Sequence, residues 1–445
     1  MVQRILLTSC VSQIGLLSIS FLLGAAVIFF DLPPSSFLRD AFSGGLSWYE
    51  QRARKPLPEE QASPLAIGKV DKPDKTYDGF TLCMYGGNSS AVLINMNGEV
   101  VHKWHVPFSQ LWPNPPHLRG QIDDASVYFN DGHIFPNGDL LVVVEGPINA
   151  QNPSNGYGLV KLDKDSKVLW KYAEKCHHDV DVGEDGTIYA IVNEIVRQLP
   201  PGLPNIPTPC MVDFVDVISP EGARKKRIGL VEAFQDTPYT ALFSSLERSR
   251  MSSPMAQRGA WVPPFVDDER SRDVLHTNAV KVLSRELASK FPMFKAGQLL
   301  ISPRRLDAIA VVDPDSEKVV WAARGPWNSQ HDPSFLDNGH LLLFDNLGSP
   351  LGSRVLEYDP QTQAFPWSYP GHKGAPFFSK IRGMCQRLPN GNTLIVNYGA
   401  SEFFEVTPDR EVVWSGSSGH SELYRARRYA PEQLPFLGRE PHARP

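Results

Sequence analysis

Two short hairpin motifs alternate from residue 77 to near the C-terminus, and this repeat constrains the fold more than any other feature. One motif places a polar turn between two apolar strands, and the second strand often ends in Trp. Its six copies have turns at Asn95, Asp163, Ser219, Asp313, Asp359 and Thr407. The other motif has a glycine in its turn, which suits the positive φ that tight hairpins require. Its five copies contain Gly138, Gly186, Gly297, Gly339 and Gly391.

This alternation predicts four-stranded units, each built from one glycine hairpin and the polar-turn hairpin that follows it. Five units are complete, whereas the hairpin at Asn95 has no glycine hairpin before it. The stretch SELYRARRYAP near the C-terminus can supply the missing inner strands. We therefore predict an all-β fold, a six-bladed β-propeller whose sixth blade is closed by N- and C-terminal strands. An open antiparallel sandwich of similar strands is the alternative.

The N-terminus is predicted to be a separate unit. Residues 5–30 contain no charged residue and are long enough to span a bilayer as a helix. We predict that residues 1–30 form a single-pass transmembrane anchor, and a cleaved signal peptide is the alternative. A weak charge bias predicts the N-terminus in the cytoplasm and the propeller on the extracytoplasmic side, whether periplasmic, extracellular or lumenal.

The remaining boundaries follow from composition and repeat length. Residues 31–76 are rich in proline and polar residues and are predicted to be a linker. Residues 77–445 form the propeller, and the long interval between two glycine hairpins predicts an insertion at about 196–273. Long insertions in a rigid scaffold often cover a functional site.

Charge and cysteine content exclude some functions. The net charge is −5 and both signs are mixed along the chain, so nothing indicates nucleic-acid binding. The five cysteines lack the spacing of a metal site, and their odd number leaves the disulfide pairing open. No cofactor is expected.

Three histidines lie where innermost strands of a propeller are expected to begin. His178 and His331 each precede a turn glycine by eight residues, and His276 opens the strand HTNAVKVL. Innermost strands all begin at one end of the central channel, so these side chains are predicted to converge. Six other histidines lack this register and are predicted to be surface or turn residues: His102, His105, His117, His133, His340 and His420.

Amide and arginine side chains accompany the three histidines. Asn278 follows His276 by two residues, on the same face of an extended strand. Arg304 and Arg305 end the partner strand and are expected near the same place. A site lined by histidine, asparagine and arginine is rich in hydrogen-bond donors and suits an oxyanion such as sulfate or phosphate.

Several of these segments resemble the bacterial arylsulfate sulfotransferase family. They are the HHD unit with its turn glycine, the HTN strand, the ISPR strand, QHD followed by NG and FDN, QRLPNGNTLI and LYRARRY. The resemblance covers about residues 77–429. It implies a six-bladed propeller that moves a sulfuryl group from a phenolic sulfate to a phenol, without a nucleotide sulfate donor, through a transiently sulfated histidine.

The resemblance also implies roles for individual residues. His331 occupies the position of the sulfated nucleophile. His178, His276, Asn278 and Arg304 occupy the positions that hold the sulfuryl oxygens and handle the phenol proton. The small N-terminal β-domain used for pairing in the family has no counterpart here, where the predicted anchor and linker take its place.

The chemistry requires a neutral nucleophile, and neighbouring arginine and histidine side chains disfavour the imidazolium form. Two other functions remain open. Three histidines could hold zinc, copper or iron, although the nearby arginine disfavours a cation and no acidic residue is expected in the same register. Alternatively, the protein is a non-catalytic, membrane-anchored propeller that binds a partner or a small anionic ligand.

Overall fold

The computed structural model describes residues 66–70, 72–148, 152, 154–200, 206, 208–246, 273–371, 377–418 and 422–438. The predicted membrane span at residues 5–30 lies outside these residues and stays a prediction. Among the helices of the described part, none is both long enough and apolar enough to cross a membrane.

Six antiparallel sheets form the blades of a β-propeller. In chain order the strands are β1 (Ala66–Val70), β2 (Phe80–Tyr85), β3 (Ser90–Ile94), β4 (Val100–His105), β5 (Tyr128–Ile134), β6 (Leu140–Glu145), β7 (Gly156–Leu162), β8 (Val168–Tyr172), β9 (Cys176–Val182), β10 (Ile188–Val196), β11 (Cys210–Ile218), β12 (Arg224–Gly229), β13 (Thr277–Val282), β14 (Leu299–Pro303), β15 (Ala308–Asp313), β16 (Lys318–Arg324), β17 (His331–Phe335), β18 (Leu341–Asp345), β19 (Arg354–Tyr358), β20 (Trp367–Tyr369), β21 (Met384–Arg387), β22 (Thr393–Asn397), β23 (Glu402–Val406), β24 (Val412–Ser417) and β25 (Leu423–Tyr429). The short α-helices are α1 (Phe108–Leu111), α2 (Leu230–Phe234) and α3 (Arg285–Ala288).

The predicted alternation of hairpins is confirmed. Five blades run in sequence order, β5–β8, β9–β12, β13–β16, β17–β20 and β21–β24. In each of them a predicted glycine turn joins the first two strands and a predicted polar turn joins the last two. The turn glycines adopt left-handed backbone conformations, for example φ 84° at Gly339, which explains why the repeat keeps glycine there.

The sixth blade joins the two ends of the propeller, as predicted. Its strand order is β25-β2-β3-β4, so the C-terminal strand is innermost and Cys83 pairs with Ala426. The C-terminus supplies one inner strand, because β2 is itself the second strand of this blade. Strand β1 lies within the predicted linker and adds a fifth strand to the neighbouring blade, where it pairs with β24.

Extra chain in the second complete blade lies in two pieces rather than one. Strands β11 and β12 fall inside the predicted insertion at about 196–273 and complete the sheet β12-β11-β10-β9. The additional residues are therefore 197–209, between β10 and β11, and 230–272, after β12. The described ends of these pieces, residues 197–200, 208–209 and 230–246, adjoin β10, β11 and β12 at the end of the propeller where the innermost strands begin.

The repeated tryptophan has a structural explanation. Its indole N–H donates to a backbone carbonyl in a turn of the next blade, at 2.8 to 3.1 Å. Four such bonds join Trp104 to Gly138, Trp170 to Pro220, Trp367 to Pro408 and Trp414 to Met96. These bonds tie neighbouring blades together beside the apolar clusters that fill the space between the sheets.

Candidate active site

The innermost strands β5, β9, β13, β17, β21 and β25 form a closed ring around a central channel. The mouth of this channel is the end at which these strands begin. Strands β9, β13 and β17 each carry an irregularity in their pairing at the mouth. His178 and His276 have positive φ values, 63° and 50°. Such bulges and left-handed residues redirect side chains and are concentrated at functional sites.

The predicted site residues meet at this mouth. The His178 and His276 rings lie edge to face with centroids 5.1 Å apart. Asn278 is buried, and its Nδ2 donates to the carbonyl of Gln330, directly before His331, at 2.9 Å. Arg304 begins the short 3-10 turn that follows β14, and its positive charge lowers the pKa of His331. The structure thus brings together the residues that the sequence singled out.

The protonation pattern of His331 is set by its surroundings. Its Nδ1 lies 2.8 Å from Oδ1 of Asn346 and 3.0 Å from the Ser329 carbonyl. Asn346 points its Nδ2 at the carbonyls of Ser379 and Arg382, so its Oδ1 must face the histidine. Nδ1 of His331 therefore carries the hydrogen. Nε2 keeps its lone pair and accepts from the backbone N–H of Arg382 at 3.2 Å.

His331 is also held in its neutral form. The side chain is buried, with 4% of the residue exposed. Burial lowers the pKa of His331 well below its ordinary value, and the positive charge of Arg304 lowers it further, outweighing the bond to Asn346. A neutral imidazole with a lone pair on Nε2 is the form that can act as a nucleophile.

His276 is paired with a carboxylate that the sequence analysis missed. Its Nδ1 lies 2.5 Å from Oδ2 of Asp273, and its backbone N–H donates to Oδ1 at 3.0 Å. Burial tends to raise the pKa of Asp273, but the interactions with His276 and Arg305 lower it overall. The ionised carboxylate therefore fixes the ring of His276, so that Nε2 is the nitrogen available for proton exchange.

His178 is also backed by polar side chains, those of His177 and Asp213. Its Nδ1 is 2.6 Å from Nδ1 of His177, and Nε2 of His177 lies 3.5 Å from Oδ1 of Asp213. Both His177 and Asp213 are buried, and the backbone N–H of Thr277 holds the other carboxylate oxygen at 2.6 Å. Burial, His177 and His276 lower the pKa of His178 well below its ordinary value. All three mouth histidines thus have Nδ1 engaged.

The opposite side of the mouth is aromatic. The guanidinium of Arg382 lies 4.2 Å from the ring centroid of Tyr424, 5.4 Å from that of Tyr398 and 5.5 Å from that of Tyr128. The same group donates to the Tyr128 hydroxyl at 2.9 Å and to Glu145 at 3.3 Å. Arg382 therefore connects both sides, since its backbone contacts His331 and its side chain contacts three tyrosines.

A cleft of about 700 Å³ opens beside this cluster. We call it the tyrosine cleft and define it by Tyr128, Tyr398, Tyr424, Arg382 and Glu422, all of which line it. Ile381 adds an exposed apolar side chain at its edge. Aromatic and apolar walls with a few polar groups are typical of small-molecule sites.

Acidic residues directly follow two of the mouth histidines, in the HHD and QHD segments. Asp179 and Asp332 directly succeed His178 and His331 and are buried in the channel. Both Asp179 oxygens accept from Nζ of Lys281 at 2.6 to 2.7 Å, while Asp332 accepts from a backbone N–H of β21 at 3.0 Å. These carboxylates join neighbouring strands. Within the described ranges, no three or more His, Cys, Asp or Glu side chains converge as metal ligands.

His133 was wrongly expected at the surface or in a turn, because it lies in β5, where it is half-buried and burial lowers its pKa to about 4. His117 lies in a turn, as predicted, although it is half-buried and bonds through Nε2 to the carbonyl of Tyr157. His340 also lies in a turn as predicted and pairs with Glu357. His420 lies outside the described residues.

Fold and site together define a six-bladed propeller with a histidine-lined channel mouth. The model of the family described as Arylsulfotransferase (ASST) matches residues 133–419, which is more than half of the chain. The chain therefore belongs to the arylsulfotransferase family. A search of curated proteins returned no match.

The solved structures that match this chain resemble it only distantly. A protein of unknown function from Bacteroides caccae is 12% identical with a TM-score of 0.49, covering 79% of this chain and 98% of that one. A catalytically inactive virginiamycin B lyase from Staphylococcus aureus with quinupristin is 8% identical with a TM-score of 0.40, covering 79% and 88%. A streptogramin B lyase is 10% identical with a TM-score of 0.39, covering 83% and 89%.

Proposed function

We propose that this protein is an aryl-sulfate-dependent sulfotransferase that works through a sulfohistidine at Nε2 of His331. The observation that carries this proposal is the arrangement of His331. Its Nδ1–H is bound by Asn346 and Ser329, while burial and Arg304 keep the ring neutral. The membership of the arylsulfotransferase family supports the same reaction class.

In the first step the lone pair of Nε2 attacks sulfur. A nitrogen–sulfur bond forms, the sulfur–oxygen bond to the ring breaks, and the electron pair leaves with the phenolate. The imidazole becomes positively charged, so the bonds from Nδ1–H to Asn346 and Ser329 strengthen as the reaction proceeds. Interactions that are stronger in the transition state than in the ground state are those that accelerate a reaction.

Donors beside His331 suit the three sulfuryl oxygens. Arg304 supplies a positive charge, and the backbone N–H of Arg382 lies 3.2 Å from the attacking nitrogen. This N–H must leave Nε2 when sulfur approaches, and it can then donate to a sulfuryl oxygen. Fixed donors of this kind typically contribute about 3 kcal/mol each to transition-state stabilisation.

His276 is the best candidate for proton exchange with the phenol. Asp273 holds its ring through Nδ1, which leaves Nε2 for proton exchange, and about a third of its side chain is exposed, so a substrate can reach it. The protonated ring gives a proton to the departing phenolate, and the neutral ring takes one from the acceptor phenol. The second half-reaction then reverses the first, and the sulfuryl group passes to the acceptor oxygen.

We also propose that residues 5–30 anchor the protein in a membrane with the propeller on the extracytoplasmic side. The support is the uncharged apolar run in the sequence. Purified full-length protein is expected to need detergent and to retain its first residues. A soluble form whose N-terminus lies near Val27 would show cleavage instead.

Turnover of 4-nitrophenyl sulfate with phenol as acceptor tests the proposed reaction. We expect ping-pong kinetics: without acceptor, about one 4-nitrophenol is released per enzyme as the sulfohistidine forms, and continued release requires phenol. No turnover and no covalent labelling, in protein shown to be folded, would leave a non-catalytic binding protein as the better description.

A further inference from the structure

We propose that the tyrosine cleft binds the aromatic ring of both the sulfate donor and the phenol acceptor, and that its acidic rim selects against rings with anionic substituents. This inference rests on the proposed sulfuryl transfer at His331. It adds a binding site and a substrate preference to that reaction.

The first argument is position. Arg382 contacts the nucleophile through its backbone, where its N–H lies 3.2 Å from Nε2 of His331. Its side chain reaches into the tyrosine cleft, 4.2 Å from the centre of the Tyr424 ring. One residue therefore spans the distance between the reacting nitrogen and the cleft. In the proposed pose, the phenol oxygen lies at His331 and the ring extends along Arg382 towards these tyrosines.

The second argument is the chemistry of the walls. Tyr128 and Tyr424 lie 4.3 Å apart between ring centroids, and Tyr398 is stacked with Tyr424 at 5.9 Å. Burial raises the pKa of Tyr128 and of Tyr424, so both remain uncharged phenols. Uncharged aromatic walls favour a stacked or edge-on ring, and such aromatic pairs contribute beyond simple area burial.

The third argument is the balance of charge. Arg382 is neutralised by buried Glu145, which accepts from it at 3.3 Å. Glu422 lies on the rim of the cleft, where it accepts from the Tyr424 hydroxyl at 3.0 Å and is exposed. Glu145 lies behind the lining and balances the charge of Arg382, so these three groups together carry one negative charge in excess, and the exposed Glu422 places it at the rim. A carboxylate on the bound ring meets repulsion there, whereas an ammonium group is attracted.

The ring-binding part is tested by replacing Tyr424. Tyr424→Leu is expected to raise KM for 4-nitrophenyl sulfate at least tenfold, while saturating donor still labels His331. Tyr424→Phe keeps the ring and loses the hydroxyl, so its KM should rise less. Tyr239→Leu, an aromatic replacement in the chain after β12, serves as the control. Equal KM values in Tyr424→Leu and wild type would overturn the inference.

The charge preference is tested with three acceptors of similar size: 4-ethylphenol, tyramine and 4-hydroxyphenylacetate. Because Glu422 is exposed and screened, the sulfated enzyme is expected to react only about threefold faster with the two compounds that lack a carboxylate. Glu422→Gln removes this charge and should bring the three rates close together. Equal rates for all three acceptors in the wild type would contradict the selectivity.

A binding measurement separates this inference from the proposed reaction. The His331→Asn variant cannot form the intermediate, so calorimetry on it gives the Kd of 4-ethylphenol without turnover. We expect binding that weakens at least tenfold when Tyr424→Leu is added. Binding that is unaffected by Tyr424→Leu would refute the site. Absence of labelling in the wild type alongside tyrosine-dependent binding would refute the reaction and keep the binding site.

Discussion

The two halves of the channel mouth use the same backbone positions for different purposes. Three consecutive blades contribute histidines from the beginnings of β9, β13 and β17, and each of these rings has its Nδ1 engaged by a buried polar partner. The other three blades contribute tyrosines around one arginine and leave a cleft of about 700 Å³.

This difference separates chemistry from recognition. In the histidine half, hydrogen bonds fix which ring nitrogen faces the mouth, as a nucleophile and a proton carrier require. In the tyrosine half, uncharged rings provide shape and π surface. Arg382 belongs to both halves, because its backbone contacts His331 and its guanidinium contacts Tyr424.

The largest effect is expected for the histidine half. His331→Asn should lower the rate of 4-nitrophenol release on the order of a thousandfold or more, because no nitrogen–sulfur bond can form. His340→Asn is the matched control, since His340 lies in the turn between β17 and β18 and pairs with Glu357. Wild-type rates in His331→Asn would contradict the claim that the histidine half performs the chemistry.

Arg304 comes next. Arg304→Ala should lower kcat about a hundredfold, as expected for the loss of one fixed donor to the sulfuryl oxygens. Arg304→Lys keeps the positive charge but lacks the planar guanidinium with its several N–H donors, so its kcat should lie between those of Arg304→Ala and wild type. Steady-state kinetics with a saturating donor measure both variants. An effect confined to KM would show that Arg304 only assists binding.

Asp273→Asn should have a smaller effect that depends on the leaving group. The amide of the variant holds the ring of His276 less firmly than the carboxylate does, so departure of a basic phenolate should slow about tenfold. 4-Nitrophenolate leaves readily and needs less protonation, so its release should slow only a few-fold. The same slowing for phenyl sulfate and 4-nitrophenyl sulfate would argue against proton transfer through His276.

The smallest predicted effect concerns stability, and it differs in sign between the halves. His178 and His331 have lowered pKa values in the folded protein, so the unfolded chain binds more protons below about pH 6.5. Each of these two histidines should lower the free energy of unfolding by about 1 kcal/mol as the pH falls from 7.5 to 5.5. Tyr128 and Tyr424 have raised pKa values, so their contribution is lost above about pH 10.

Urea denaturation, measured from pH 7.5 down to 5.5 and again up to pH values above about 10, gives the free energy of unfolding on both sides. His331→Asn should flatten the acid-side loss of stability, while Tyr424→Phe should flatten the alkaline side. An acid-side loss that is the same in His331→Asn and wild type would mean that His331 titrates normally in the folded protein.

The repeat explains why the histidine half could be predicted from sequence. His178 and His331 keep a constant distance to a turn glycine, and that distance fixes their place on the innermost strand. Antiparallel register could also have revealed Asn346, because His331 pairs with Phe344 and Asn346 lies two residues further on. The FDN sequence, Phe344 to Asn346, could therefore have identified Asn346 as a neighbour of His331.

Other site residues have no such signal. Arg382 precedes β21 in a stretch outside the repeat, and its backbone adopts φ 60°, which sequence alone does not reveal. Tyr398 and Tyr424 come from blades that lack a histidine in this register. Their proximity depends on closure of the ring by β25, which is a tertiary contact. Asp273 lies at the end of a long interval without recognisable repeats.

The central claim is that Nε2 of His331 carries the sulfuryl group during turnover. Mass spectrometry of protein treated with 4-nitrophenyl sulfate in the absence of acceptor tests it most directly. We predict one sulfuryl group per chain, localised to the peptide that contains His331 and removed when phenol is added. A label on the peptide of His178 or His276, which persists in His331→Asn, would contradict the assignment of the nucleophile.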